Sequence, residues 1–270
     1  MNIVRRAAEV RELLGPRRQE GLVGFVPTMG ALHEGHVTLL RSARAACRQV
    51  VASVFVNPTQ FNDPADLAAY PRNEARDAEM AKAAGVDILF APDVTEIYPA
   101  GHASSIEVKG AAVGFEGDHR PGHFSGVATV CANLFNIVRP DVVYFGQKDA
   151  QQVAVIQQIV RDLHLGVRVH VVPTVRDADG LALSSRNARL SPDERAKARA
   201  IPAALRAALA AHRSGRDPIP AARAALAGLD IDYVGLATFS DGPTLVVAVK
   251  AGATRLIDNV PVDHPERAGL

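Results

Sequence analysis

Through residues 1–175 the chain alternates short β-branched apolar runs with longer segments whose apolar residues recur at helical spacing, and this alternation restricts its fold more than any other feature. GLVGFVP (21–27) reads as a strand closed by proline, and HVTLLRSARAAC (36–47) as the helix that follows it. VVASVFV (50–56) is a second buried-strand run, and a helix over 74–84 leads into the strand VDILFAP (86–92). The alternation continues through SSIEVKG (104–110), the helical FSGVATVCANLFNIV (124–138), the strand DVVYFG (141–146), the helix DAQQVAVIQQIVRDL (149–163) and the strand VRVHVVP (167–173). Strands alternating with helices predict a parallel sheet wrapped on both faces, with ligands beyond the carboxyl ends of the strands, where the turns gather.

The character changes after SSRN (184–187). The stretch 191–215 reads as one long helix with Ser191 as N-cap and Pro192 at its first position. A second helix precedes the runs IDYVGLATF, TLVVAVKAG and TRLIDNV, whose short connections predict a small antiparallel sheet. The expected fold class is therefore α/β, with a parallel-sheet domain over 1–175 and a smaller α+β domain over 176–270. At the N-terminus, MNIVRRAAEVRELL has helical spacing and lacks the long apolar run of a signal peptide or membrane span.

Composition narrows the partners. An apolar share of 48% in 270 residues supports a real core, and 30 basic against 29 acidic residues leave a net charge of +1, with no field to attract nucleic acid or acidic lipid. Cys47 and Cys131 each lie in an apolar helical stretch, so neither a disulfide framework nor a cysteine metal site is expected, and a reducing, cytoplasmic compartment is the simpler reading.

Four turns carry polar groups suited to chemistry. PTMGALHEGH (27–36) lies at a strand-to-helix junction, where helix N–H groups favour phosphate; His33 and His36, three apart around Gly35, can donate to phosphate oxygens. Alternatively they are a surface pair and the glycines only form the turn; a zinc site lacks a third ligand at suitable spacing. In FVNPTQF (55–61), Asn57 and Gln60 are neutral amides that suit hydroxyls and a carboxylate, or merely cap a turn. YFGQKDAQQ (144–152) places Lys148 and Asp149 at a helix start and Gln152 about one turn on. These are either solvated charges complementing the dipole or groups for a phosphate, a ribose and an acid substrate. In TVRDADGLALSSRN (174–187), Ser184, Ser185 and Arg186 form a donor cluster fit for a phosphate chain, or else a capping turn. The glycine-rich 114–127 suits a mobile flap or a subunit contact. Neither a Walker A sequence nor a well-placed G-x-G-x-x-G is present.

Taken in order, PTMGALHEGH, VFVNPTQF, FGQKDAQQ and GLALSSRN resemble the signature segments of the pantothenate synthetase (pantoate–β-alanine ligase) family, and the likeness runs over nearly all of the chain. The resemblance implies a Rossmann-like domain of the nucleotidylyl-transferase superfamily, a smaller domain closing over the nucleotide, and a homodimer formed through the larger one. It implies ATP, pantoate and β-alanine as substrates, with Mg2+ held mainly by phosphate oxygens. By similarity His33, His36, Lys148, Ser184, Ser185 and Arg186 contact the phosphates; Gly146 and Asp149 meet the ribose; Pro27, Thr28, Met29, Gly30, Gln147, Val175 and Leu183 line the nucleotide region. Gln60 and Gln152 take pantoate, with Asn57 and Met29 nearby. Asp77 matches an acidic position near the magnesium, and Glu116 and Arg120 match flap positions beside Asp118 and His119.

Ala150 stands where the family often has tyrosine, Gln147 where it has glutamate and Leu183 where it has methionine; none of these removes a donor that the chemistry requires. Two rival readings remain at this level. A nucleotidyltransferase acting on a phosphate-bearing substrate needs an additional cationic pocket, against which the amides Gln60 and Gln152 argue. A nucleotide-binding protein without catalysis has no need of the full set His33, His36, Lys148 and Arg186.

Overall fold

The computed structural model describes residues 1–239 and 242–270. Six strands, β1 (Asn2–Val4), β2 (Val23–Thr28), β3 (Gln49–Val54), β4 (Ile88–Phe90), β5 (Val142–Gly146) and β6 (Arg168–Val172), form one sheet in the order β1-β4-β3-β2-β5-β6. The registers of β1 on β4, β4 on β3, β3 on β2 and β2 on β5 are all parallel. Parallel strands need crossovers, supplied here by helices such as Glu34–Ala46, Glu74–Ala83, His123–Val138 and Ala150–Asp162. The α/β reading from the sequence therefore holds.

The chain divides into two compact units. The larger comprises Met1–Leu32, His36–Phe145 and Gln151–Val171; the smaller comprises His33–Gly35, Gly146–Ala150 and Val172–Leu270. The larger is built on Phe25, Ile88, Phe90, Phe135, Phe145 and Ile156, all buried in one apolar cluster. Phe25 and Phe135 meet edge to face, with ring centroids 6.3 Å apart. Each such side chain contributes about 1.5–3 kcal/mol of hydrophobic stabilisation. The smaller unit packs the helices Pro192–Ala198, Ala200–Arg213 and Pro218–Ala225 with the antiparallel strands β7 (Asp230–Phe239), β8 (Gly242–Ala251) and β9 (Thr254–Pro261) around Leu205, Leu226, Leu245, Val247 and Val260.

Three sequence expectations are corrected. SSIEVKG belongs to neither sheet among the described residues: Ile106 donates its N–H to Thr129 Oγ1 at 2.9 Å, and Ile106 and Val108 lean on the core, so the alternation marks an extended segment lying on a helix. The N-terminus is not helical from its start, because Asn2–Val4 pairs with Ile88–Phe90 as an edge strand before the helix Ala7–Leu14 begins. The long helix expected over 191–215 is two helices that part at Arg199. Pro202 has no N–H to return to the Ala198 carbonyl, which is the bond a continuous helix requires there. Ser191 does cap the first of them, accepting from Glu194 N, and Pro192 occupies its first turn.

A buried ion pair ties the smaller unit together. Arg176 donates two parallel bonds to Asp258 (2.7 and 3.0 Å), a third to the Ala268 carbonyl (2.7 Å) and a fourth to the Gly180 carbonyl (3.0 Å). Its side chain is 6% exposed and that of Asp258 2%. Removing one partner strands a charge away from water. Arg176→Ala is expected to lower stability by about 3–5 kcal/mol, read as a fall in the urea midpoint at unchanged slope.

Candidate active site

The strand order places a topological switch between β2 and β5: the chain leaves β2 toward β3 on one side and returns to β5 on the other. Ligands of open α/β sheets bind beyond the carboxyl end of such a switch. The segments that leave these two strands are 29–33 and 146–150, both singled out in the sequence.

In the larger unit, Pro27 and Thr28 end β2, and Thr28 Oγ1 donates to the Ser53 carbonyl (2.6 Å) while accepting Gly30 N–H. Ala31 then takes a left-handed φ of 51°, unusual for a residue with a side chain. Asp77 holds that conformation: it is 1% exposed and accepts Ala31 N–H on one oxygen (2.9 Å) and Leu32 N–H on the other (2.7 Å). Its carboxylate thus serves as the anchor of the turn.

Asn57 and Gln60, 1% and 8% exposed, form a network whose polarity is fixed by elimination. Asn57 Oδ1 accepts Thr59 N–H (3.3 Å), and its Nδ2 therefore donates, to the Gly126 carbonyl (3.2 Å) and to Gln60 Oε1 (3.0 Å). Tyr98 OH also donates to Asn57 Oδ1, at 2.8 Å. With its oxygen turned toward Asn57, Gln60 can present only its NH2 to a ligand. The main chain of Gln60 is held as well: its carbonyl accepts from His123 Nδ1 (3.0 Å), whose Nε2 accepts from Arg120 (3.2 Å). Gly126 is required here, since a Cβ on it would lie 2.5 Å from the Thr59 carbonyl oxygen and 2.8 Å from Gln60 Cα. Met29, His36 and Gln152 are half-buried in the same unit, Gln152 one residue beyond Gln151. Gln151 pins the glycine-rich segment, donating to the carbonyls of Ala111, Val113 and Gly114 and accepting Glu116 N–H. The end of the segment expected as a flap forms the first turn of the helix His123–Val138, and Glu116–His119 forms a helical turn of its own.

In the smaller unit, Gln147–Asp149 is a 3-10 turn after Gly146, with Lys148 Nζ 3.6 Å from Asp149. His33 feels both charges. Burial first, and then the Lys148 ammonium, push its imidazole below the ordinary 6.5, while Asp149 pulls the other way, so the ring is neutral at pH 7. Gly35 packs on that ring: a Cβ there would sit 2.9 Å from His33 Cε1 and 3.8 Å from Leu183 Cβ. Leu183 N–H donates to the Val175 carbonyl (2.9 Å), so the strand-end and SSRN segments are tied. Ser184 accepts Arg186 N–H (3.2 Å) as the cap of the turn Ser185–Arg189, the arrangement weighed as an alternative in the sequence.

Sequence reasoning passed over Tyr98, His123, Gly126 and Gln151, which orient the chosen residues, and Asp258 and Asn259, a polar pair inside the apolar run LIDNV. That interruption of a buried strand was the available signal. Both cysteines are buried free thiols; burial pushes Cys131 up to about 12, which removes it as a nucleophile near neutrality. No cluster of three or more His, Cys, Asp or Glu side chains able to hold a metal occurs among the described residues, and no helix is long and apolar enough to cross a membrane.

An open parallel sheet with a topological switch between β2 and β5, and polar turns following those strands, is the architecture of a Rossmann-like, nucleotide-binding class of protein. The profile of the family described as pantoate-beta-alanine ligase matches residues 2–261. A pantothenate synthetase of Rhizorhabdus wittichii is 50% identical over 97% of this chain and 99% of its own, and one of Herpetosiphon aurantiacus is 47% identical over 93% and 97%. Among solved structures, pantothenate synthetase from Thermus thermophilus superposes with a TM-score of 0.91 at 45% identity over 97% of this chain and 99% of that one. Pantoate-beta-alanine ligase from Francisella tularensis, complexed with beta-gamma ATP and beta-alanine, gives 0.84 at 36% identity over 97% and 98%. The chain belongs to the pantoate–β-alanine ligase family.

The His33 environment has a pH consequence. Because the folded ring resists protonation, the unfolded chain binds the extra proton first, and stability falls as pH drops below 6.5 toward the depressed folded value. His33→Gln is expected to flatten the slope of unfolding free energy against pH in that window, measured by urea titration at several pH values; an unchanged slope would place the imidazole in water.

Proposed function

We propose that this chain joins (R)-pantoate to β-alanine through a pantoyl-adenylate, and the observation that carries the reading is the family match running through all four donor-bearing turns. A pantoate carboxylate oxygen attacks the α-phosphorus of ATP, the bond from that phosphorus to the bridging oxygen breaks, and pyrophosphate leaves. The β-alanine amine then attacks the acyl carbon, loses a proton, and AMP departs as the acyl–oxygen bond breaks. Neither step needs an enzyme nucleophile. Catalysis rests on orientation and on stabilising charge that develops on the phosphates.

The roles fall to residues according to their chemistry. Lys148 and Arg186 supply positive charge to the triphosphate, with Ser184 and Ser185 as hydroxyl donors and His33 and His36 as imidazole donors; a neutral His33 donates one N–H without competing with Lys148. Asp149 and Gly146 take the ribose. Pro27, Thr28, Met29, Gly30, Gln147, Val175 and Leu183 shape the nucleotide walls. Gln60 gives its NH2 to pantoate oxygens, Gln152 gives a second amide, and Asn57 fixes the orientation of Gln60. Mg2+ fits this donor set through phosphate oxygens, since no acidic cage occurs among the described residues and Asp77 is bonded to backbone N–H groups. When bound, the ion would neutralise phosphate charge. The reduced, buried thiols fit the cytoplasm. A homodimer is the expected assembly, and light scattering should return twice the chain mass of 28.6 kDa.

Pyrophosphate exchange into ATP is expected to require pantoate; folded protein that exchanges without pantoate, or never, sinks the reading. Asn57→Asp replaces the donor that faces Gln60 with an acceptor, so the Gln60 amide turns over. The KM for pantoate is expected to rise about 10- to 100-fold, in line with one or two lost hydrogen bonds. The KM for ATP should stay put.

A further inference from the structure

Asn259 lies on β9 opposite Val246 of β8 and is 2% exposed. Its side chain is fully engaged by the turn that carries Lys148. Asn259 Nδ2 donates to the carbonyls of Gln147 (2.9 Å) and Lys148 (2.8 Å), and Gln147 Nε2 donates to Asn259 Oδ1 (3.0 Å). The two carbonyls can only accept, so the orientation of the Asn259 amide is not in question, and the third bond follows from it. The base of this clamp is itself fixed: Asn259 N–H donates to Asp258 Oδ1 (2.8 Å), and Asp258 is gripped by Arg176.

From this geometry we infer that Asn259 is a positioning residue for Lys148, clamping consecutive peptide groups of the Gln147–Asp149 turn so that the ammonium is held where the phosphates need it. A 3-10 turn of three residues has weak internal hydrogen bonding and little stiffness of its own. The direction in which Lys148 leaves the main chain is set by the planes of the peptides on either side of it, and Asn259 holds both by their oxygens. Once the clamp is removed, those buried carbonyls must turn toward other donors, and the Lys148 side chain turns with them. A displacement of the order of 1 Å is enough to cost a large factor in rate when catalysis depends on orientation. The inference rests on the phosphate role proposed for Lys148.

The test is a double-mutant cycle on the full chain. ATP affinity by calorimetry and steady-state kcat and KM are measured for wild type, Asn259→Ser, Lys148→Ala and the double variant, with circular dichroism to verify folding. Asn259→Ser is expected to weaken ATP binding about tenfold, the effect of losing one charge-assisted contact, and to leave the pantoate KM unchanged. In the Lys148→Ala background the same change should have no further effect. A merely structural asparagine gives a different pattern, the same loss in both backgrounds or a smaller folded fraction with unaltered KM values, and either result overturns the inference. Asn259→Asp is the second probe: a carboxylate facing two carbonyls should be worse than serine for ATP, and wild-type affinity in that variant also overturns it. If Lys148→Ala alone behaves as wild type, the phosphate role of Lys148 fails and takes this inference with it; if Lys148→Ala is defective and the losses add, the inference alone falls.

Discussion

Parallel pairing on both sides of β2 is the constraint on which the rest of the larger unit depends. The run Val23–Val26 is buried against β3 and β5, and because all three strands point the same way, their polar ends gather at one edge of the sheet. The turns that carry Gly30, Asn57 and Gln60 follow the strands at that edge. The first turn there is kept in an uncommon backbone conformation by a single buried carboxylate, Asp77, which converts a strained Ala31 into a fixed platform.

Neutral amides do most of the orienting. Asn57 decides which end of Gln60 faces outward, Gln151 gathers four backbone groups between Ala111 and Glu116, and Asn259 grips the turn around Lys148. Amides suit this work because each carries donors and an acceptor on one rigid plane, so that one bond of known direction fixes the rest. The buried carboxylates are matched in other ways: Asp258 has Arg176 bidentate against it, and Asp77 accepts two backbone N–H groups.

The strand–helix order was legible because a buried parallel strand is a continuous apolar run and a crossover helix has a 3.6-residue period, as at Val142–Gly146 and Ala150–Asp162. SSIEVKG was misleading because half-burial on a helix alternates as a sheet face does, and the break at Arg199 was hidden because helical periodicity continues across Pro202. The turn residues Asn57, Gln60 and Lys148 were legible from their chemistry at strand ends. Their supports were not: Tyr98 and His123 reach the Asn57–Gln60 corner from distant stretches of sequence, and no local spacing encodes such a meeting.

The smaller unit is not a continuous stretch of chain. It borrows Gly146–Ala150 from between two parts of the larger one, and Asn259 closes on that borrowed turn. A fragment starting at Val172 would therefore keep β7, β8 and β9 yet deprive Asn259 of every side-chain partner described for it. During synthesis the order is fixed in the same way: the lysine turn emerges 111 residues before the asparagine and must wait for the last strand before it is set.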